Sequence, residues 1–193
     1  MRDLTTARAA SLIPHLLTQR ARPLIAISPM VELLPFATRY ALRGGAEVRA
    51  AAEAAFAVSI PAHACRAGVQ GERAALWLGP DEWLLIAPEA ETAALTAALS
   101  GALEQLPHSL VDVSHRQSAF AVSGPQAATL LSAGCPLDLD ESAFPVGMCT
   151  RTVLAKAEVV LWRTAPTVFR VEVSRSFAAY ASQFLAEAAR GII

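Results

Sequence analysis

The stretches YALRGGAEV, residues 40–48, and FAVSGPQAA, residues 120–128, follow one plan. In each, a short apolar run predicts a strand, the glycine predicts a tight turn, and the alanine-rich continuation predicts a helix. The first helix is expected to end near Phe56 and the second near Gly134. Pro125 stands where the second helix begins, and Gly134 where it stops, as the residue preferences of helix ends favour. We interpret this match as the trace of an internal duplication.

The segments that follow these two stretches also correspond. Residues 75–78 and 83–87 predict two strands joined by a turn over 79–82, and residues 91–106 predict a helix with an apolar stripe at Ala94, Leu95, Ala98, Leu99, Ala102 and Leu103. Residues 158–162 and 168–173 repeat the strands, and residues 177–188 repeat the helix. Trp77 matches Trp162 at the same spacing that relates Leu99 to Phe184. The constant spacing supports the duplication.

These patterns predict an α+β protein made of two pseudo-repeated halves, in each of which strands are backed by helices. We expect an N-terminal arm over residues 1–23, a first half over residues 24–109 and a second half over residues 110–193, together forming one compact domain. Residues 24–32 are expected to add a strand or a packed arm, and residues 110–115 to bridge the halves.

Composition and charge exclude several classes of partner. The net charge is −1 and the arginines are scattered, which argues against nucleic acid, because counterion release requires clustered cations. Neither a secretory signal nor an uninterrupted membrane-spanning stretch is present, so we expect a soluble cytoplasmic protein that does not contact a membrane. The hydrophobic content of 54% has two open explanations, a GC-rich genome or a surface buried against another protein.

The sequence carries no recognisable catalytic or nucleotide-binding motif, such as a dinucleotide fingerprint, a P-loop or a nucleophile elbow. Asp112, Ser114 and His115 look like parts of a hydrolase triad, but on an extended strand the third would point away from the first two. The alternative is that Asp112 or Ser114 caps a turn. Trp83 is either an interface anchor or a core strand tryptophan. His115 with Arg116 either holds an anion or a partner carboxylate, or forms a surface ion pair.

Metal binding is also not indicated. His63 with Cys65 is a single pair of candidate ligands, whereas structural zinc normally needs four. The acidic run Asp138, Asp140 and Glu141 is explained by a solvated loop. The dispersed thiols Cys65, Cys135 and Cys149 are expected to be reduced, buried and structural.

Five motifs in order resemble the sarcosine oxidase gamma subunit family over residues 24–188. They are WLGPDEWLLIAP (77–88), DVSHRQ (112–117), GCPLDL (134–139), CTRT (149–152) and RSFAAY (175–180). The order of strands and helices is also similar to the N-terminal part of glycine-cleavage aminomethyltransferases, a fold used for folate binding. The K-G-C-Y-x-G-Q signature of the folate-dependent relatives is missing, and residues 147–151 stand at its nearest place.

The resemblance implies a non-catalytic subunit of a heterotetramer, with the alpha subunit as direct partner and beta and delta subunits in the same assembly. Such an assembly demethylates sarcosine oxidatively to glycine, produces hydrogen peroxide and transfers the one-carbon unit to tetrahydrofolate. FAD, FMN, NAD and tetrahydrofolate are then expected on the partner subunits and no cofactor, metal or catalytic residue on this chain. Trp83, Asp112, His115 and Arg116 are the candidate interface or motif residues. The alternatives are a free-standing folate-binding or aminomethyltransferase-like protein, and an adaptor of an unrelated complex.

Overall fold

The computed structural model describes residues 25–192, so the arm expected over residues 1–23 lies outside the described residues. The strands are β1 Ile25–Ser28, β2 Val31–Leu33, β3 Ala37–Gly44, β4 Ala67–Gln70, β5 Arg73–Gly79, β6 Glu82–Pro88, β7 His108–Asp112, β8 Gln117–Ser123, β9 Cys149–Leu154, β10 Ala157–Ala165 and β11 Val168–Ser174. The α-helices are α1 Ala46–Phe56, α2 Thr92–Leu103, α3 Ala127–Ser132 and α4 Ala178–Arg190. Short 3-10 turns span Glu89–Glu91, Ser114–Arg116 and Arg175–Phe177. The predicted α+β class is confirmed.

The two sheets repeat one strand order. The five-stranded sheet runs β4-β5-β6-β3-β7, and the six-stranded sheet, taken from its other end, runs β9-β10-β11-β8-β2-β1. Each half of the chain supplies a strand, a helix, three antiparallel strands and a second helix, in that order. Trp77 on β5 and Trp162 on β10 occupy matching strands. This common order supports the internal duplication inferred from the sequence.

The match extends to hydrogen bonds. The Val113 amide donates to the Arg39 carbonyl at 2.9 Å as the chain leaves β7, and the Leu34 amide donates to the Ala119 carbonyl at 2.8 Å as it leaves β2. Strand β7 pairs antiparallel with β3, as β2 pairs with β8. The sheets therefore differ by one strand within the described residues, since β1 lies beyond β2 and no counterpart lies beyond β7.

The chain divides into two compact units, and each is discontinuous. The N-half unit contains Phe36–Gln117 and Met148–Arg151, and the described residues of the C-half unit are 25–35, 118–147 and 152–192. These units cut the chain differently from the expected halves 24–109 and 110–193. The reason is strand pairing: β7 spans the expected boundary between residues 109 and 110 but pairs with β3, and β2 lies within the expected first half but pairs with β8.

The core of the N-half unit lies between its sheet and the helices α1 and α2. Tyr40, Leu42 and Trp83 come from the sheet, and α2 contributes a stripe of leucines that recurs every fourth residue: Leu95, Leu99 and Leu103. The alanines predicted on the same stripe are exposed, because only the narrower leucine edge of α2 faces the core: Ala94, Ala98 and Ala102. Burying one leucine side chain stabilises the fold by about 2 kcal/mol.

The strand-to-helix turns of the two halves need glycine for different reasons. At Gly44 a β-carbon would come within 2.6 Å of the Val48 side chain, so close packing of strand and helix requires glycine. At Gly124 the backbone φ is +113°, a conformation that residues with side chains rarely adopt. The duplicated glycine has kept its place while its physical role differs.

In the C-half unit, both faces of the strand β11 are buried. Val171 and Val173 lie on one face, and Arg170 and Glu172 on the other, where the Arg170 Nε donates to Glu172 at 2.7 Å. A charged pair on alternate positions normally indicates a solvated face, so the sequence pattern did not reveal this burial. None of the helices between residues 25 and 192 is long and apolar enough to cross a lipid bilayer.

Candidate partner interface

The strand β7 forms one edge of the five-stranded sheet and is largely exposed. Val111, at its centre, is 48% exposed and is one of the three large hydrophobic residues exposed in the described part of the chain. Leu110 is half-buried at the margin of the N-half core. An open edge that carries an apolar side chain is a common site of strand pairing between chains.

A hydrogen-bonded turn ends β7. The Asp112 Oδ1 accepts hydrogen bonds from the Ser114 amide at 2.8 Å and from the Ser114 hydroxyl at 2.5 Å. The buried Ser114 Oγ in turn accepts the Arg39 amide at 2.8 Å. The chain then forms the 3-10 turn Ser114–Arg116, so the assumption of an extended strand through His115 is wrong. Within this segment, the turn-capping alternative for Asp112 and Ser114 is the one that the structure shows.

His115 and Arg116 lie on the surface at this turn. The imidazole of His115 packs against the ring of Phe36, with centroids 4.9 Å apart and planes inclined by 41°. The structure therefore places three of the four candidate residues, Asp112, His115 and Arg116, on the surface at the end of β7 and in the turn that follows. No hydrogen bond between His115 and the Asp112–Ser114 pair is found.

Trp83, the fourth candidate, lies elsewhere. It is 2% exposed within the N-half core, and its indole Nε1 donates to the Pro61 carbonyl at 2.7 Å. This burial leaves no surface with which Trp83 can anchor a partner, so the interface interpretation is corrected to the alternative of a core strand tryptophan. Trp83 directly follows Glu82 in β6, and its side chain lies on the face of that strand that packs in the core.

Two of the quoted motifs meet at Glu82, a contact that the sequence reasoning missed. The Arg43 guanidinium donates to the Glu82 Oε2 at 2.6 Å, and the Arg151 guanidinium donates to Oε2 at 3.1 Å and to Oε1. Hydrogen bonding from Arg151, and secondarily from Arg43, outweighs desolvation and lowers the pKa of the Glu82 carboxyl. The ion pairs thus connect β6, β3 and β9 at the N-half unit. The sequence signals available for this contact were the glutamate in WLGPDEWLLIAP and the arginine in CTRT.

The cysteines are free, as predicted, and differ in burial. Cys149 is fully buried, and its thiol donates to the Arg66 carbonyl at 3.3 Å. Desolvation raises the pKa of the Cys149 thiol to about 12. Cys135 is buried as well, but Cys65 is only half-buried, so the expectation of three buried thiols is wrong for Cys65.

The acidic run Asp138, Asp140 and Glu141 lies in a loop whose backbone carbonyls accept hydrogen bonds from a buried arginine. The buried Arg163 donates to the Leu139 carbonyl at 3.2 Å, to the Phe144 carbonyl at 2.9 Å and to Pro166. Asp140 accepts the Ser142 hydroxyl at 2.6 Å, and this hydrogen bond lowers the pKa of the Asp140 carboxyl. No group of three or more histidine, cysteine, aspartate or glutamate residues between residues 25 and 192 is arranged to hold a metal ion.

Comparison with known proteins identifies the family. The family model described as sarcosine oxidase, gamma subunit family, matches residues 43–190. The chain is 39% identical over 156 residues to the sarcosine oxidase subunit gamma of Corynebacterium sp. (strain U-96), covering 79% of this chain and 75% of the relative. It is 37% identical over 165 residues to the subunit gamma of an Arthrobacter sp., covering 83% of this chain and 79% of that protein.

Solved structures agree with the sequence relatives. A chain of the heterotetrameric sarcosine oxidase from Corynebacterium sp. U-96 superposes with a TM-score of 0.77 at 33% identity, over 97% of this chain and 94% of that one. The glycine cleavage system aminomethyltransferase T from Bartonella henselae superposes with a TM-score of 0.59 at 15% identity, over 79% of this chain and 44% of that one, which confirms the fold alone. The family model and the relatives together show that this chain belongs to the sarcosine oxidase gamma subunit family.

Proposed function

We propose that this chain is the gamma subunit of a heterotetrameric sarcosine oxidase and contributes to it as a structural component. The observation that carries the proposal is the agreement in fold, over nearly the full length, with a chain of a heterotetrameric sarcosine oxidase. Membership of the gamma subunit family supports the same role.

The chemistry is proposed to belong to the other subunits. In this account the assembly demethylates sarcosine to glycine with formation of hydrogen peroxide and passes the one-carbon unit to tetrahydrofolate, in the cytoplasm. The alpha subunit is the direct partner, and FAD, FMN, NAD and tetrahydrofolate bind outside this chain. Within the DVSHRQ motif, two hydrogen bonds from Ser114 hold the Asp112 carboxylate, which fits a segment that presents a fixed shape rather than a reactive group.

The surface after β7 is proposed as part of the partner interface. Asp112 follows directly on the exposed Val111, and the exposed His115 and Arg116 come after the buried Val113 and Ser114. The buried Ser114 fixes the backbone beneath them through Arg39. A rigid backbone carrying exposed polar side chains loses little conformational entropy on binding.

Co-expression tests this proposal. The affinity-tagged chain should co-purify with co-expressed alpha, beta and delta subunits, and omission of this chain should reduce the yield of soluble alpha subunit. As a control, a tagged unrelated domain should recover none of them. Recovery of a stable and fully active assembly of the alpha, beta and delta subunits without this chain would contradict the structural role.

A further inference from the structure

The backbone of β7 presents hydrogen-bonding groups to the open edge of its sheet. The Val113 amide bonds to the Arg39 carbonyl, and Leu42 lies opposite Leu110 in the register. Because antiparallel pairs alternate between bonded and non-bonded, Ser109 and Val111 direct their amides and carbonyls toward β3. His108, Leu110 and Asp112 consequently direct theirs away from β3, where the described residues provide no further strand.

In the C-half unit, the equivalent strand edge is covered by a further strand. Its counterpart of β7 is β2, and β1 pairs with β2 antiparallel on the side away from β8, with Ile25 opposite Leu33 and Ser28 opposite Val31. By the matching hydrogen bonds, Val31 corresponds to Leu110 and Leu33 to Asp112. Val31 is fully buried, whereas Leu110 is only half-buried.

Among residues 25–192, the first half supplies no such strand, because the chain just before β7 has another conformation. The residues that precede β7 by the length that separates β1 from β2 lie in the turn after α2, where the Leu106 amide donates to the Leu103 carbonyl at 2.9 Å. A local hairpin with β7 is therefore not formed. A strand that covers β7 would therefore come from a different segment.

We propose that the outer edge of β7 receives an extended segment of another subunit of the oxidase, which pairs antiparallel with β7 as β1 pairs with β2. This inference rests on the proposed function, since it takes the occupant from the assembly. The added strand would bond to the outward groups of His108, Leu110 and Asp112, and it would cover the exposed Val111.

Charge indicates the chemistry of the incoming segment. Directly opposed residues of neighbouring strands share a face and lie about 5 Å apart. The position that faces Leu33 in β2 carries the apolar Ile25, but the equivalent position on β7 faces the exposed carboxylate of Asp112, whose Oδ1 alone is used by Ser114. The segment is therefore expected to place lysine or arginine opposite Asp112 and an apolar residue beside Val111.

Hydrogen exchange resolved to single amides tests the pairing in the purified oxidase. We expect the outward amides of Leu110 and Asp112 to be protected in the assembly as strongly as the inward amide of Val111. In the full chain alone, the outward amides should exchange about 100-fold faster than in the assembly, while the Val111 amide stays protected.

A matched pair of variants provides a second readout. Leu110→Pro removes an amide that points away from β3, which an edge strand tolerates, whereas Leu110→Ala truncates the side chain and keeps the amide. The proline variant should bind the other subunits about tenfold more weakly than the alanine variant. His108→Pro and His108→Ala, at the first residue of the strand, repeat the comparison at an exposed side chain if Leu110→Pro does not fold.

Each contrary result has a distinct meaning. An assembly that forms while the Leu110 amide exchanges freely, or that binds the proline and alanine variants equally, overturns the strand pairing and leaves the proposed function intact. Protection already present in the isolated monomer would assign the edge to residues 1–24, and protection that rises with concentration of the chain alone would assign it to a second copy; either overturns the inference. Failure of the subunits to co-purify at all rejects the proposed function and the inference together.

Discussion

At the scale of single residues, two buried polar side chains form hydrogen bonds that hold the backbone of neighbouring segments in place. Ser114 is 2% exposed, and its hydroxyl joins the Asp112 carboxylate to the Arg39 amide. The Arg163 guanidinium donates to two carbonyls of the loop that follows α3 and to the Pro166 carbonyl in the turn between β10 and β11. Both contacts fix the backbone of segments that carry exposed acidic side chains, Asp112 in the first and Asp138 and Asp140 in the second.

Replacing Ser114 by alanine tests the turn after β7. The change leaves the Arg39 amide without its partner, so we expect the free energy of unfolding to fall by about 1–3 kcal/mol, as for other buried unsatisfied donors. Urea denaturation followed by fluorescence measures the loss. Ser109→Ala, on the exposed part of β7, is the control and should change stability little. Equal stability of Ser114→Ala and wild type would mean that the turn is not held by this hydroxyl.

The thiols give a second test at this scale. Because Cys149 is buried and its pKa is raised to about 12, its reactive thiolate is scarce at neutral pH. We expect iodoacetamide at pH 8 to modify Cys65 first, with Cys149 labelled only after denaturant is added. Peptide mass spectrometry after a time course distinguishes the two sites. Labelling of Cys149 in the folded chain as fast as Cys65 would contradict its burial.

At the scale of elements, strands and helices of the two halves were predictable because they depend on local pattern. The apolar runs of the strands, the glycine turns and the leucines of α2 identified the repeated units. The pairing of β7 with β3 and of β2 with β8 was not predictable, because the paired strands are far apart in the sequence. The contact of Glu82 with Arg151 is of the same kind, as the two residues lie in distant motifs.

The Glu82 cluster connects strands and should respond to acid. Its pKa is lowered from 4.5 in the folded chain, so its contribution to stability is present above the unfolded value and is lost as pH falls through the folded value. We expect the free energy of unfolding of wild type to exceed that of Glu82→Gln by a constant amount from about pH 6 to 8. This difference should shrink as the pH falls below about 6. The effect should be modest, because the Arg43 and Arg151 side chains are 60% and 41% exposed.

Denaturant unfolding across the pH series measures this difference. Glu104→Gln is the matched control, since Glu104 is an exposed glutamate beyond the end of α2. The control should show no such pH dependence. A difference between wild type and Glu82→Gln that grows as pH falls would mean that the carboxyl is destabilised in the folded chain, contrary to the observed ion pairs.

At the scale of the whole molecule, the duplicated fold and its family membership lead to one account. The chain combines two repeated sheets with exposed, structurally fixed residues after β7, and the family to which it belongs is defined by a subunit of sarcosine oxidase. The likeness to an aminomethyltransferase at 15% identity shows the fold alone, because one architecture can support different chemistries. The motifs identified the family from the sequence, whereas the open edge of β7 required the strand order.

Native mass spectrometry of the oxidase purified through a tag on this chain tests the central claim most directly. The account predicts a single species that contains this chain and the alpha, beta and delta subunits in equal numbers, with the sarcosine-oxidising activity migrating with that species. A tagged chain that appears only by itself, while an active oxidase of the other three subunits is recovered separately, would contradict the account.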